Sequence, residues 1–168
     1  MLVARTDAYR VGNSLIGVGA ALLGVGSHAQ GEIDVLLKLS MARARQKPVG
    51  GFTVLDVGAN IGAHTIPWAK YMYGWGSIIA FEAQERMFYA LAGNITLNNC
   101  FNARAIWAAV SDRCGYMPGP TMDYEKPANF GGVSMLPQYN SEQPVKDYQS
   151  IVPMLSIDSM NPGRVDMI

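Results

Sequence analysis

Cysteine is nearly absent from this chain, charge is sparse and balanced, and the apolar stretches are short. Each shortage removes a class of function. The two cysteines in 168 residues, Cys100 and Cys114, have no metal-ligand spacing and build no disulfide framework. Reduced, packed thiols are expected, with one disulfide as the open alternative. Thirteen basic side chains meet thirteen acidic ones; without a basic excess, nucleic acid is not the expected partner. The apolar stretch at residues 15–25 falls short of the ~20 residues that span a bilayer, so no membrane role is expected. Charged residues are 15% of the chain and hydrophobic ones 49%. That balance excludes disorder and leaves a single domain large enough to bury a core.

The first fifty residues (1–50) read as an extended segment and a covering helix. Arg5 and Arg10 precede the apolar stretch, and Ser27-His28-Ala29 has the small-x-small form of a secretory cleavage site. Gly17, Gly19 and Gly24 dilute the stretch, however, and Asp7 interrupts the region before it. A cytoplasmic location is therefore the reading, with export as the lesser alternative. Residues 9–26 are glycine-rich and predict short extended pieces joined by turns. Over residues 32–44, Ile33, Leu36, Leu37 and Met41 recur at helical intervals, with Lys38 and Arg43 on a solvated face. Pro48-Val49-Gly50-Gly51 should break this helix.

Residues 51–168 alternate β-α-β-α-β, the pattern of a parallel sheet with helices on its faces. A strand over residues 52–57 precedes a helix reaching residue 73, with Thr65 as a possible cap and Pro67 in its first turn. A second strand covers residues 78–82. The next helix, residues 85–97, repeats Met87, Leu91 and Ile95 at steps of four, and a third strand runs over 104–110. In residues 116–148, five prolines predict an excursion without long regular elements. An extended run at 151–157 ends at Asp158, and residues 164–168 look like the start of another strand.

The turn after the first strand carries the chemistry. Gly58 and Gly62 can adopt φ values closed to other residues and let a ligand touch backbone. The helix beyond offers free N–H groups to a carboxylate. Asp56 at the strand tip suits a positively charged α-amino group. The spacing D-x-G-x-N-x-G differs from the G-x-G-x-x-G that holds a dinucleotide's pyrophosphate, and the acid would repel that group. Glu82, at the tip of the second strand, is placed to accept both ribose hydroxyls. Ala59 and Asn60 in the turn, Ala83 after the acid, and Val110 and Ser111 at the third strand tip complete the candidate set. Together they point to S-adenosylmethionine (SAM).

The ordered stretches Val54-Leu55-Asp56-Val57-Gly58-Ala59-Asn60-Ile61-Gly62-Ala63-His64-Thr65, Ile79-Ala80-Phe81-Glu82-Ala83-Gln84 and Leu91-Ala92-Gly93-Asn94-Ile95-Thr96-Leu97-Asn98 are similar to the FkbM-type family of SAM-dependent methyltransferases. Ala109-Val110-Ser111-Asp112-Arg113 and Leu155-Ser156-Ile157-Asp158 follow in the same order. The resemblance implies a Rossmann-like methyltransferase fold of the α/β class and O-methylation of a hydroxyl on a sugar, polyketide or similar small molecule. Relatives often have proline where Gln84 stands. The family's fourth strand also continues into Lys-x-Asp-x-Glu-Gly beyond the position of Ile168. C-terminal strands are thus expected to be missing, with the cofactor half present, and the open sheet edge suits a homodimer. His64, Asp123 and Tyr124 are the candidate bases, and residues 129–134 are a candidate lid. A nicotinamide-dependent oxidoreductase and a non-catalytic interaction domain stand as the alternatives.

Overall fold

Phe52-Thr53-Val54-Leu55-Asp56-Val57 is dominated by β-branched and aromatic residues, which suits a strand covered on both faces. The computed structural model describes residues 1–45, 51–141 and 143–168. Along the chain it contains β1 (Tyr9–Val11), β2 (Ser14–Ile16), α1 (Val18–Val25), α2 (Gln30–Ala44), β3 (Phe52–Val57), α3 (Thr65–Tyr71), β4 (Gly76–Glu82) and α4 (Glu85–Leu97). There follow β5 (Ala103–Trp107), β6 (Ala109–Val110), β7 (Gly115–Met122), β8 (Val145–Leu155) and α5 (Ile157–Met160).

Strands β3, β4 and β5 form a parallel sheet in that order. On the far side of β3, Met167 makes a parallel bridge to Val54, and its carbonyl accepts the Leu55 N–H at 2.9 Å. The chain therefore winds outward from β3 to β5 and returns on the other flank of β3. That reversal is the switch point of a doubly wound sheet, and ligands bind beyond the carboxyl ends of the strands there. The α/β, Rossmann-like expectation holds. The strand expected over 164–168 is confined to this bridge.

Several local expectations are corrected. The helix after the glycine turn stops at Tyr71, and Thr65 is its first residue, not its cap. The third strand divides at Ala108, because β4 ends at Glu82 and β6 turns away to pair with β8. Residues 18–25 form a helix where short extended pieces were expected. Gly19 serves close packing there: a Cβ on it would lie 2.5 Å from Val3 Cγ1 and 3.1 Å from the Asp7 carbonyl.

The proline-rich region holds two long antiparallel strands, β7 and β8. Pro118 and Pro120 are accommodated because β7 is the edge strand of the order β6-β8-β7, where a missing N–H breaks no inner ladder. The run expected at 151–157 ends as a strand at Leu155 and passes into α5. Of the helix-breaking run, Pro48, Val49 and Gly50 lie outside the described residues.

Two apolar clusters flank the sheet. One gathers Ile33 from α2, Val54, Ile66, Trp68, Ile78 and Leu91. The other joins Val18, Ile61, Met87, Met122 and Phe130, so it ties α1 and the 128–130 segment to the strand tips. Cys100 is buried, Cys114 is exposed, and both are free. Among the described residues no helix is long and apolar enough to cross a membrane.

Candidate functional site

A cavity of about 230 Å³ opens at the carboxyl ends of β3 and β4. Gly58, Asn60, Glu82, Ala83, Gln84 and Val110 line it, and Gly131, Val133 and Met135 close it from the segment before β8. Ala83, Gln84 and Met135 also border a second cavity of about 600 Å³, which continues toward Asp123, Tyr124 and Lys146.

The glycine turn is left-handed at Gly58 (φ 81°), Asn60 (φ 51°) and Gly62 (φ 90°). The two glycines have different tasks. A Cβ on Gly58 would meet nothing within 4 Å, which leaves open space where the residue lines the cavity. A Cβ on Gly62 would stand 3.0 Å from Leu91 Cδ1 and 3.4 Å from Ile66 Cγ1, so this glycine lets α3 and α4 close up. Gly62→Ala combines that clash with a strained φ. It is expected to cost about 2 kcal/mol or more in chemical denaturation; a loss under ~0.5 kcal/mol, the level of an ordinary surface change, would contradict the packing role.

The turn's N–H groups are already engaged. Gly58 and Ala59 both donate to the Phe81 carbonyl at 2.9 Å, and Gly62 donates to the Ala59 carbonyl at 2.8 Å. Asn60 N–H donates to Glu82 Oε2 at 2.8 Å, and Ile61 N–H to Asn60 Oδ1 at 2.7 Å. Five consecutive donors are thus satisfied within the protein. The N–H groups of the turn itself, residues 58–62, are therefore not free for an anion.

Glu82 sits among the lining residues with both oxygens anchored, the second accepting the Gln84 N–H at 2.7 Å. A carboxylate has about four acceptor sites, so capacity remains for a ligand hydroxyl. Asp56 is 7% exposed and lies behind the turn, where its carboxylate accepts the Thr65 hydroxyl at 2.5 Å. It is not among the residues lining the cavity. Among the described residues neither acid forms an ion pair with lysine or arginine.

Burial raises both acids above their ordinary values; hydrogen bonds from Thr65 to Asp56, and from Gln84, Asn60 and Ala83 to Glu82, oppose it only in part. Burial likewise raises Asp7, whose carboxylate accepts the Gly19 and Phe130 N–H groups. Folded, these acids hold protons more tightly than unfolded. Their stabilising effect is complete below the ordinary values of 3.8 and 4.5 and declines as pH rises through the raised ones. The melting temperature should therefore fall as pH rises above those ordinary values, and Asp7→Asn should flatten the slope. Asp166, held low by Thr53 N–H and Arg164 against the effect of burial, acts only below 3.8 and outside this window. A profile rising across the window would contradict the assignment.

The remaining candidates are scattered. Ala59 is buried, and its backbone N–H and carbonyl are both engaged at the turn. Ser111 turns away, its N–H on the Leu155 carbonyl and its hydroxyl on Asp112. The His64 ring stacks on Trp68 with centroids 5.4 Å apart, and its Nε2 lies 3.9 Å from Glu32 of α2, so it does not serve as a base in the cavity.

Asp123 and Tyr124 line the larger cavity. Burial would raise Asp123, but the Glu125 N–H, Lys146 and Lys126 hold it below the ordinary range, which makes it a weak base. Burial, and next the charge of Glu82, push Tyr124 up to about 12, so its hydroxyl stays protonated at neutral pH.

Sequence reasoning treated Gln84 as a minor change and missed Met135 and Asp7 as contributors. Gln84 Nε2 donates to the Phe130 carbonyl at 2.8 Å, a partner 46 residues away that no local pattern announces.

No protein-family model matches the chain, and no curated protein does. Solved structures similar to it include a SAM dependent methyltransferase from Aquifex aeolicus, at 25% identity over 44% of this chain and 38% of that one. Coclaurine N-methyltransferase bound to N-methylheliamine and SAH matches at 23% identity, over 44% and 21%. M. jannaschii TYW2 in complex with AdoMet matches at 25% identity, over 63% and 45%. Each has a TM-score of 0.34, and the chain spans less than half the length of each solved chain. At that TM-score the likeness carries no functional weight, and the chemistry of the cavity has to decide.

Proposed function

We propose that this chain binds SAM and forms the cofactor-binding part of an O-methyltransferase of the FkbM type. The observation that carries the reading is electrostatic. Glu82, a buried carboxylate at the tip of β4, lines the cavity, and Asp56 is buried behind the turn on the adjacent strand β3, with no lysine or arginine paired to either among the described residues. Burying such charge is costly unless it is compensated. A ligand carrying a positive sulfonium and an ammonium group supplies that compensation. A pyrophosphate adds repulsion, and it would find the N–H groups of residues 58–62 already engaged, which disfavours the nicotinamide alternative.

In this reading Glu82 accepts ribose hydroxyls, and Gly58 lets the ligand approach the backbone. Ala83 and Val110 border the adenine, and Gly131 and Val133 form the opposite wall. Bound SAM supplies an activated methyl group for in-line displacement by a small-molecule hydroxyl. The residues bind and orient, which by itself lowers the barrier by removing rotational and translational freedom.

S-adenosylhomocysteine, the demethylated product, tests this directly. At one hundred times its Kd it should stabilise the fold by about 2.7 kcal/mol, a rise of roughly 5–10 °C in Tm for a chain of this size. NAD at the same concentration should produce no shift. Stabilisation by NAD alone would move the assignment to the oxidoreductase; stabilisation by neither would leave an interaction domain.

A further inference from the structure

Phe130 is fully buried, and its peptide groups are gripped from two distant parts of the chain. Asp7 Oδ1 accepts its N–H at 3.1 Å, and Gln84 Nε2 donates to its carbonyl at 2.8 Å. The other Asp7 oxygen accepts the Gly19 N–H at 2.7 Å, which fixes the carboxylate against α1. The strap holding Asp7 is itself fastened: Thr6 Oγ1 donates to the Tyr124 carbonyl at 2.6 Å, and Ala128 N–H donates to the Thr6 carbonyl at 3.0 Å. Immediately after Phe130 the chain becomes the far wall of the cofactor cavity. There a Cβ on Gly131 would lie 3.0 Å from Val18 Cγ2 and 3.5 Å from Asn60 Nδ2. The wall is thus wedged between α1 and the glycine turn.

We propose that Asp7 and Gln84 are positioning residues that clamp the Phe130 peptide, and that the amino-terminal strap thereby sets cofactor affinity by fixing the 131–135 wall. This rests on the SAM reading of the cavity and adds to it a remote determinant. Asp7 does not line the cavity, so any effect it has on affinity must travel through Phe130. Gln84 lines the cavity and also holds the wall, which accounts for a carboxamide at a position where proline could not donate.

The test uses the full chain, with S-adenosylhomocysteine as the probe. Asp7→Asn turns an amide NH₂ toward one of the two N–H groups, and Gln84→Met keeps length while removing the donor. In variants shown to be folded, each should weaken binding about tenfold. The double variant should lose less than the product, because both act on one peptide. Amides of residues 131–135 should exchange hydrogen faster in both single variants. A folded Asp7→Asn protein with wild-type Kd and wild-type exchange overturns the clamp. If Asp7→Asn does not fold, unchanged Kd and exchange in Gln84→Met overturn it instead. If the wild-type chain binds no S-adenosylhomocysteine, the cofactor reading fails separately and affinity control fails with it, while exchange still decides whether Phe130 is clamped.

Discussion

Replacing Glu82 with glutamine is expected to weaken S-adenosylhomocysteine binding by at least about a hundredfold, or ~2.7 kcal/mol. The substitution keeps shape and changes chemistry. In the native protein one oxygen accepts the Asn60 N–H at 2.8 Å and the other the Gln84 N–H at 2.7 Å. A carboxamide accepts at one end only, so one of these donors faces an NH₂ group and loses a charge-assisted bond, of about 1.5–3 kcal/mol. If it is the Asn60 contact, the left-handed residue at the centre of the glycine turn (φ 51°) loses its anchor. Calorimetry on the folded variant measures the result. Affinity within threefold of wild type would show that Glu82 is a structural acid and not a ribose acceptor.

Phe130→Ala should produce the largest loss of stability, about 3–5 kcal/mol and a fall in Tm of roughly 6–20 °C. The ring is fully buried, packs tilted against Tyr124 with centroids 4.9 Å apart, and belongs to the cluster that joins α1, α4 and β7. Neighbours held by separate elements cannot all collapse into the space it leaves. Phe101, 80% exposed, is the natural control, and its alanine variant should stay within about 0.5 kcal/mol of wild type. Similar effects at the two positions would mean that the Phe130 site is not the packed core described above.

These two predictions differ in how far the sequence announced them. The bounds of β3 and α4 follow from patterns a few residues long: a β-branched, apolar run ending in an acid, and apolar side chains at steps of four. Glu82 was legible for the same reason, since a strand tip is a local feature. Phe130 and Asp7 were not. Their partners lie 123 residues apart in the chain, and Asp7 viewed locally is only an acid before an apolar stretch. Pro118 and Pro120 misled because whether a strand tolerates proline depends on its place at the sheet edge, which sequence order does not state. Gly19 misled similarly: glycine marks turns, but also surfaces where two segments touch. The glycine turn was correctly located, while the occupation of its N–H groups by Phe81 and Glu82 appears only once β3 and β4 are side by side.

Titration of the wild-type chain with S-adenosylhomocysteine and with NAD, by isothermal calorimetry under identical conditions, bears most directly on the central claim. Glu82 lining the cavity with acceptor capacity to spare, and a glycine turn whose N–H groups are engaged, predict saturable binding of S-adenosylhomocysteine and none of NAD. Binding of NAD in preference to S-adenosylhomocysteine, or no heat from either with a fully folded protein, would contradict it.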